Sequence, residues 1–290
     1  MKTLRTLLMG LVLWGAGGAE TGQDRATVPL FVAGTAISGP VEALGEVPVT
    51  IERADLAFGP LYLCAGANAG DLCETARFEW LDSVVVDTTE PEPVLIGHLT
   101  GVTGTVRSWM YDLGISSQLT RLEPFVLNAA SELGGTSFVL EGVADVDGIE
   151  IPFVASVPVQ QTDDTELGVP VVRKSTSEVF QRDVSDEESG LLVRFDPTTW
   201  VQGIDFRSLI TNEVCAQDSP VTVCDGVVER TCEAGSEVSS RDCDELGQVC
   251  LRGQGCAQQL IIESDSQAHR SLRNALLSGV RPSFSWDQVP

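Results

Sequence analysis

Histidine is nearly missing from this 290-residue chain, with His98 and His269 the two examples. That leaves little room for a Ser-His-Asp arrangement, and neither Gly-x-Ser-x-Gly nor His-Glu-x-x-His occurs. Lysine is as scarce: Lys2 and Lys174 are the two, and the other basic residues are arginines. Such usage fits GC-rich coding and hence a bacterial source. Basic residues of both kinds number 18 against 42 acidic ones, a net charge of −24. A surface of that sign repels nucleic acid and anionic lipid, and neither is expected as a partner. Paired Cys-x-x-Cys ligands are absent, which argues against a zinc site and against a redox-active thiol pair. Beyond the first residues no apolar run approaches the ~20 residues that cross a bilayer, so no transmembrane segment is expected.

What is present begins with an export signal. Lys2 and Arg5 precede the apolar run Thr6 to Trp14, and Gly15 to Ala19 supply the small residues a signal peptidase needs, with cleavage after Ala19. Losing two positive charges makes the mature chain more acidic still. A hydrophobic content of 43% is nonetheless ordinary for a globular protein, so acidity here does not mean general disorder.

From Thr27 to Phe206 the pattern is strand after strand. Thr50 to Phe58 alternates, with Ile51, Ala54 and Leu56 inward and one slip near Arg53. Phe78 to Val86, Pro93 to Leu99 and Val102 to Tyr111 are further strand-like runs. The strongest local signal is a hairpin: Phe138 to Val143 leads into Asp147-Gly148, after which Ile149, Ile151, Phe153, Ala155, Val157 and Val159 alternate. Pro152 and Pro158 lack an amide hydrogen and should sit at an edge or a bulge. Leu191 to Phe195 is another strand. Asp196 should cap a helical turn with Pro197 at its first position. Helix is expected over Glu123 to Leu133 and Ser266 to Ser278, the latter with Ala268, Leu272, Ala275 and Leu276 on one face and Gly279 at its stop. Phe284 to Trp286 reads as a last strand. Gln160 to Glu166 and Ser175 to Gly190 read as polar loops, the second a candidate calcium site through Asp183, Asp186, Glu187 and Glu188.

Six cysteines crowd into one segment as Cys215, Cys224, Cys232, Cys243, Cys250 and Cys256, the count and spacing of a three-disulfide module whose pairing the sequence leaves open among fifteen combinations. So short a segment cannot bury enough apolar surface alone, and each bridge would contribute about 2–4 kcal/mol. Cys64 and Cys73 bracket a loop of small residues and should bridge locally.

Candidate chemistry is thin. Arg107, Trp109, Tyr111 and Asp112 mark a possible binding surface, since Trp, Tyr and Arg are efficient contact residues; the alternative is that the two aromatics are core. His98 lies in a strand and His269 on the polar side of a helix, with a structural or merely exposed role the simpler reading for both. Asp145-Val146-Asp147-Gly148 opens like a calcium loop but lacks the third acid and distal Glu. Paired carboxylates could serve a glycosidase, but 42 acids guarantee coincidental pairs.

Cys224, Gly226, Cys232, Asp242, Cys243, Gly247, Cys250, Gly255 and Cys256 follow a layout that resembles the short cysteine modules of exported proteins from myxobacteria and related predatory soil bacteria. Such modules are structural or adhesive. The order of hairpin, strand ending in Asp, and late helix (Phe138–Val159, Leu191–Asp196, Ser266–Ser278) is similar to that of a periplasmic copper-binding β-sandwich family of methanobactin systems. That resemblance implies imidazole ligands, for which this chain offers only His98 and His269.

The expected fold is all-β, a two-layer β-sandwich with one late amphipathic helix and a small disulfide-rich module. Residues 1–19 form the signal peptide, 20–213 the sandwich, 214–256 the inserted module, and 257–290 the helix and strand completing the sandwich. The expected function is that of a non-catalytic, cofactor-free, exported binding or structural protein of the cell envelope or medium, its partner an envelope protein or a cation. The alternatives are a periplasmic copper or calcium carrier, and a hydrolase using paired carboxylates.

Overall fold

The computed structural model describes residues 24–67, 73, 76–116, 125–159, 173–175, 181–185, 190–210, 215, 222–252, 254–264, 266–278 and 281–286. The expected signal peptide, residues 160–166 and Gly279 lie outside them. The larger of two main sheets has eight strands, in the order Arg173–Ser175, Ser108–Asp112, Leu61–Cys64, Ala76–Trp80, Val94–Val102, Arg25–Ala33, Leu191–Arg194 and Ser283–Ser285. The second runs Val41–Ala43, Val47–Phe58, Thr136–Val146, Ile149–Pro158 and Leu260–Ile262, with Val84–Asp87 paired to Phe58–Asp55 on the edge that Val41–Ala43 occupies further along. Among the described strands two pairings are parallel, Leu30–Ala33 with Leu191–Arg194 and Phe153–Ala155 with Leu260–Ile262. The fold is all-β and sandwich-like.

Period-two patterning explains which faces meet. On Arg25–Ala33, Ala26, Val28, Leu30 and Val32 are buried and Arg25 and Thr27 exposed. The slip near Arg53 is a bulge: Glu141 pairs with Arg53 and Gly142 with Ile51, so Glu52 is the extra residue and Glu52 and Arg53 are exposed in succession. The hairpin turns at Asp147 (φ 55°) and Gly148 (φ 87°), both left-handed, as a type I′ turn requires. Pro158 lies beside the register shift between Thr136 and Phe138, and Pro152 just outside the Phe153–Ala155 parallel ladder.

Aromatic side chains join the layers. Phe58 of the second sheet packs on Trp80 and Tyr111 of the first and on Phe195, with ring centroids 5.3–6.0 Å apart. Phe284, on the last strand of the eight, stacks at 4.8 Å on Trp109, whose strand lies next to the opposite edge. The large sheet therefore curves far enough for a side chain of its last strand to meet one from the strand beside its opposite edge.

The late helix is Gln267–Ser278. Ser266 Oγ accepts the His269 amide at 3.0 Å and caps it, while Ala268, Leu272 and Leu276 enter the core. Asp196 Oδ1 accepts the Thr198 amide and hydroxyl at 3.0 and 2.7 Å, starting the short helix Thr198–Val201.

Three expectations are corrected. The helix expected over 123–133 is the shorter Asn128–Glu132, because Phe125–Val126 is drawn into a ladder with Ile115–Ser116. Within the stretch read as a loop from 175 to 190, Arg182–Val184 is a strand paired with Gly104–Val106, held by burial of Val184; Asp186, Glu187 and Glu188 lie outside the described residues. His269 is fully buried instead of facing solvent, because the helix packs across Ile149–Pro158 and its imidazole Nε2 sits 3.0 Å from the Ser156 carbonyl.

The cysteine segment has its own small architecture. Thr222–Asp225, Val228–Glu233 and Ser236–Asp242 form a three-stranded antiparallel sheet, and Val249–Leu251 pairs with Gly255–Ala257. Disulfides join Cys215 to Cys232, Cys224 to Cys250 and Cys243 to Cys256, with Cys64 bridged to Cys73 elsewhere. The chain leaves the two main sheets after Leu191–Arg194 and re-enters them at Leu260–Ile262 and Ser283–Ser285.

Candidate functional site

The run singled out as a binding surface is mostly interior. Trp109 and Tyr111 are two residues apart, share the inner face and stack at 5.4 Å, each under 5% exposed. Burial pushes the Tyr111 phenol well above its ordinary pKa. Asp112 is fully buried at the strand end, its amide bonded to the Pro60 carbonyl and its carbonyl to the Gly59 amide. Arg107 alone of the four is exposed. Even the outward Met110 is covered, by Tyr62 and the Cys64–Cys73 bridge.

The imidazoles do not converge. His98 is exposed on Val94–Val102 of the large sheet, and His269 is buried under the late helix against the other sheet. Among the described residues one group of metal-type ligand atoms is compact, Glu229, Cys243 and Cys256, within 4.8 Å of one another. Its sulfurs are bonded to each other. Glu229 Oε2 accepts the Cys256 amide at 2.6 Å and Arg241 Nη2 at 2.7 Å. Those two bonds, the amide's first, hold the Glu229 carboxyl below the usual range. The group is a tie inside the module and not a metal centre.

A cleft that the sequence did not announce lies where the hairpin tip meets the module. It has a volume of about 600 Å³ and is lined by Val143, Asp145, Ile149, Glu150 and Pro152 on one side and Val227, Asp244, Gln248 and Val249 on the other. Among the described residues three carboxylates and no basic side chain line it. Asp145 and Glu150 are direct cross-strand partners. Counting from the two-residue turn, they form the first non-hydrogen-bonded pair, where facing side chains come closest, with Cβ atoms about 4.5–5.5 Å apart. Like charges so placed repel, and neither these two nor Asp244 forms an ion pair with a described residue. Asp147 at the turn is treated differently: both its oxygens lie 2.8 Å from Arg207 Nη1. The cross-strand pair was within reach of the sequence once the Asp-Gly turn was placed. Asp244, about a hundred residues away, was not.

No family model matches the chain, and no curated protein does. Among solved structures, MbnP from Methylosinus trichosporium aligns with 90% of this chain over 97% of its own length, at 13% identity and a TM-score of 0.36. A likeness at that level carries no argument about function. Four disulfides are the chemistry of an oxidising compartment. Among the described residues no helix is long and apolar enough to cross a membrane.

Proposed function

We propose that this is an exported, non-catalytic binding protein whose cleft between hairpin tip and disulfide module receives a basic group of its partner. The observation that supports this reading is the like-charge pair Asp145 and Glu150, set opposite each other without a cation and facing Asp244 across an open cleft. Such a pair costs stability in the free protein and gains most from an incoming positive charge. The module's role is to fix Asp244 relative to the hairpin: its disulfides hold its own short strands together, and Leu251, buried in the sandwich core with Val249 beside it, anchors them there.

The test is a titration with an Arg-Gly-Arg-Gly-Arg peptide, following backbone NMR signals. Saturable shifts confined to 143–152 and 244–249, abolished in the triple variant Asp145→Asn/Glu150→Gln/Asp244→Asn, are expected. Shifts spread evenly over the acidic surface would mean general charge attraction and overturn the assignment. Native mass spectrometry of the same preparation reads bound metal, and a stoichiometric calcium or copper ion would put the carrier reading first.

A further inference from the structure

A second groove lies on the seam between the two sheets. It has a volume of about 240 Å³ and walls of Val32, Val84, Val85, Val86, Val94 and Ile96. Apolar cavities of about 150 Å³ already admit a benzene-sized group. Val94 and the adjoining Leu95 are 54% and 51% exposed, so the apolar surface continues out of the groove.

Two further observations say what the groove can hold. Val84–Asp87 runs along it, paired on one edge with Val47–Phe58; no strand among the described residues pairs with its other edge, where the Asp87 carbonyl accepts the Glu90 amide at 3.3 Å and the backbone of Val85 is left for a partner. An unpaired edge beside an apolar crevice is the arrangement that accepts an extended segment as an added strand, backbone to backbone, with alternate side chains in the crevice. The rim is acidic, with Asp87, Glu90 and Glu92 lining it and no basic residue among the described residues that do. The Asp87 carboxylate is held in place by the Thr89 amide and hydroxyl, at 2.9 and 2.6 Å. Arg194, at this end of the fold, spends Nη1 on the carbonyls of Gly34 and Pro91.

We infer that this groove docks an extended segment of a partner protein in which aliphatic side chains alternate with Arg or Lys. The segment adds to the free edge of Val84–Asp87, places its aliphatic side chains among the valines and its bases against Asp87, Glu90 and Glu92.

Fluorescence anisotropy with a labelled Gly-Arg-Leu-Arg-Leu-Arg-Gly peptide tests this on the disulfide-intact protein. Saturable binding is expected, weakened about tenfold by Val94→Asp, by Glu90→Lys/Glu92→Lys, or by serine in place of the peptide's leucines. Every arm is measured in the triple variant of the hairpin cleft, so that the cleft's own attraction for arginine does not contribute and failure of one site is distinguished from failure of the other. Val94 is exposed, so its substitution leaves the fold intact, which circular dichroism checks. Equal binding of the serine peptide would reduce the effect to general charge attraction and overturn the inference, as would no binding at millimolar protein. Concentration-dependent dimerisation abolished by Val94→Asp, with the peptide unable to compete, would assign the groove to a second copy and overturn it too.

Discussion

The sandwich and the disulfide module are held together by opposite means. In the sandwich a continuous apolar core reaches from Val28 and Leu30 through Phe58 and Phe138 to Leu272, and its one disulfide, Cys64–Cys73, sits on the outer face. In the module the separate buried cluster is made of the cysteines themselves, Cys224, Cys243 and Cys250 with Cys256 against them, while Leu251, with Val249 beside it, reaches out of the module into the sandwich core. The module's middle strand bears ion pairs, Arg230 with Asp225 and Glu237, and Glu229 with Arg241, while Ser236–Asp242 is almost wholly exposed. Surface pairs of this kind contribute little, about 0–1 kcal/mol each. Covalent closure therefore does in the module what apolar burial does in the sandwich. The two should respond to different insults although the chain threads through both.

The largest effect is expected from Phe138→Ala. Phe138 is fully buried and meets Trp200 edge to face at 4.9 Å. Its truncation should cost about 3–5 kcal/mol in chemical denaturation while leaving the module's amides protected in hydrogen exchange. The converse is the double substitution Cys224→Ala/Cys250→Ala, which opens a bridge of sequence separation 26. It should lower protection across 222–257 by about 2–4 kcal/mol and leave Thr136–Val146 unchanged. A matching fall in both regions would show one cooperative unit and dissolve the distinction. The smallest effect concerns Glu229. Its carboxyl titrates below the ordinary range in the folded protein, so the stabilisation is fully present above the unfolded value of about 4.3 and is lost as pH falls through the folded value. Protection of the module should thus hold from neutral pH to about 5 and decline in more acid solution. Glu229→Gln should remove that decline and cost on the order of 1 kcal/mol at neutral pH.

Those features legible in the sequence are the ones whose cause is local. Asp147-Gly148 with alternation on both sides is enough to place the hairpin, and Ser266 ahead of Ala268, Leu272 and Leu276 is enough to place the helix. The slip near Arg53 was visible as a break in alternation before its cause, the bulge, could be seen. Arg182–Val184 escaped notice because three residues carry no period, and Phe125–Val126 because its partner strand is as short. His269 was misplaced because an imidazole counts as polar in a helical pattern, whereas a carbonyl on a neighbouring strand can satisfy it out of solvent. The cleft and the groove were beyond reach for a common reason. Each is bounded by elements from different parts of the chain, and only pairing over long sequence separations brings their carboxylates and valines together.

The curving of the large sheet bears on how the protein is made. Phe284 reaches Trp109 across it, and the edge strand that supplies Phe284, like Leu260–Ile262 of the second sheet, follows the whole cysteine segment. A chain delivered in order into the oxidising compartment would therefore carry two unfinished sheets, with pairing edges open, until every cysteine has arrived. Oxidation of the module draws the flanking segments together and shortens the search of the last strands for their places. Bridge formation, besides stapling the module, thus shortens the loop that must close before the last strands join the two sheets.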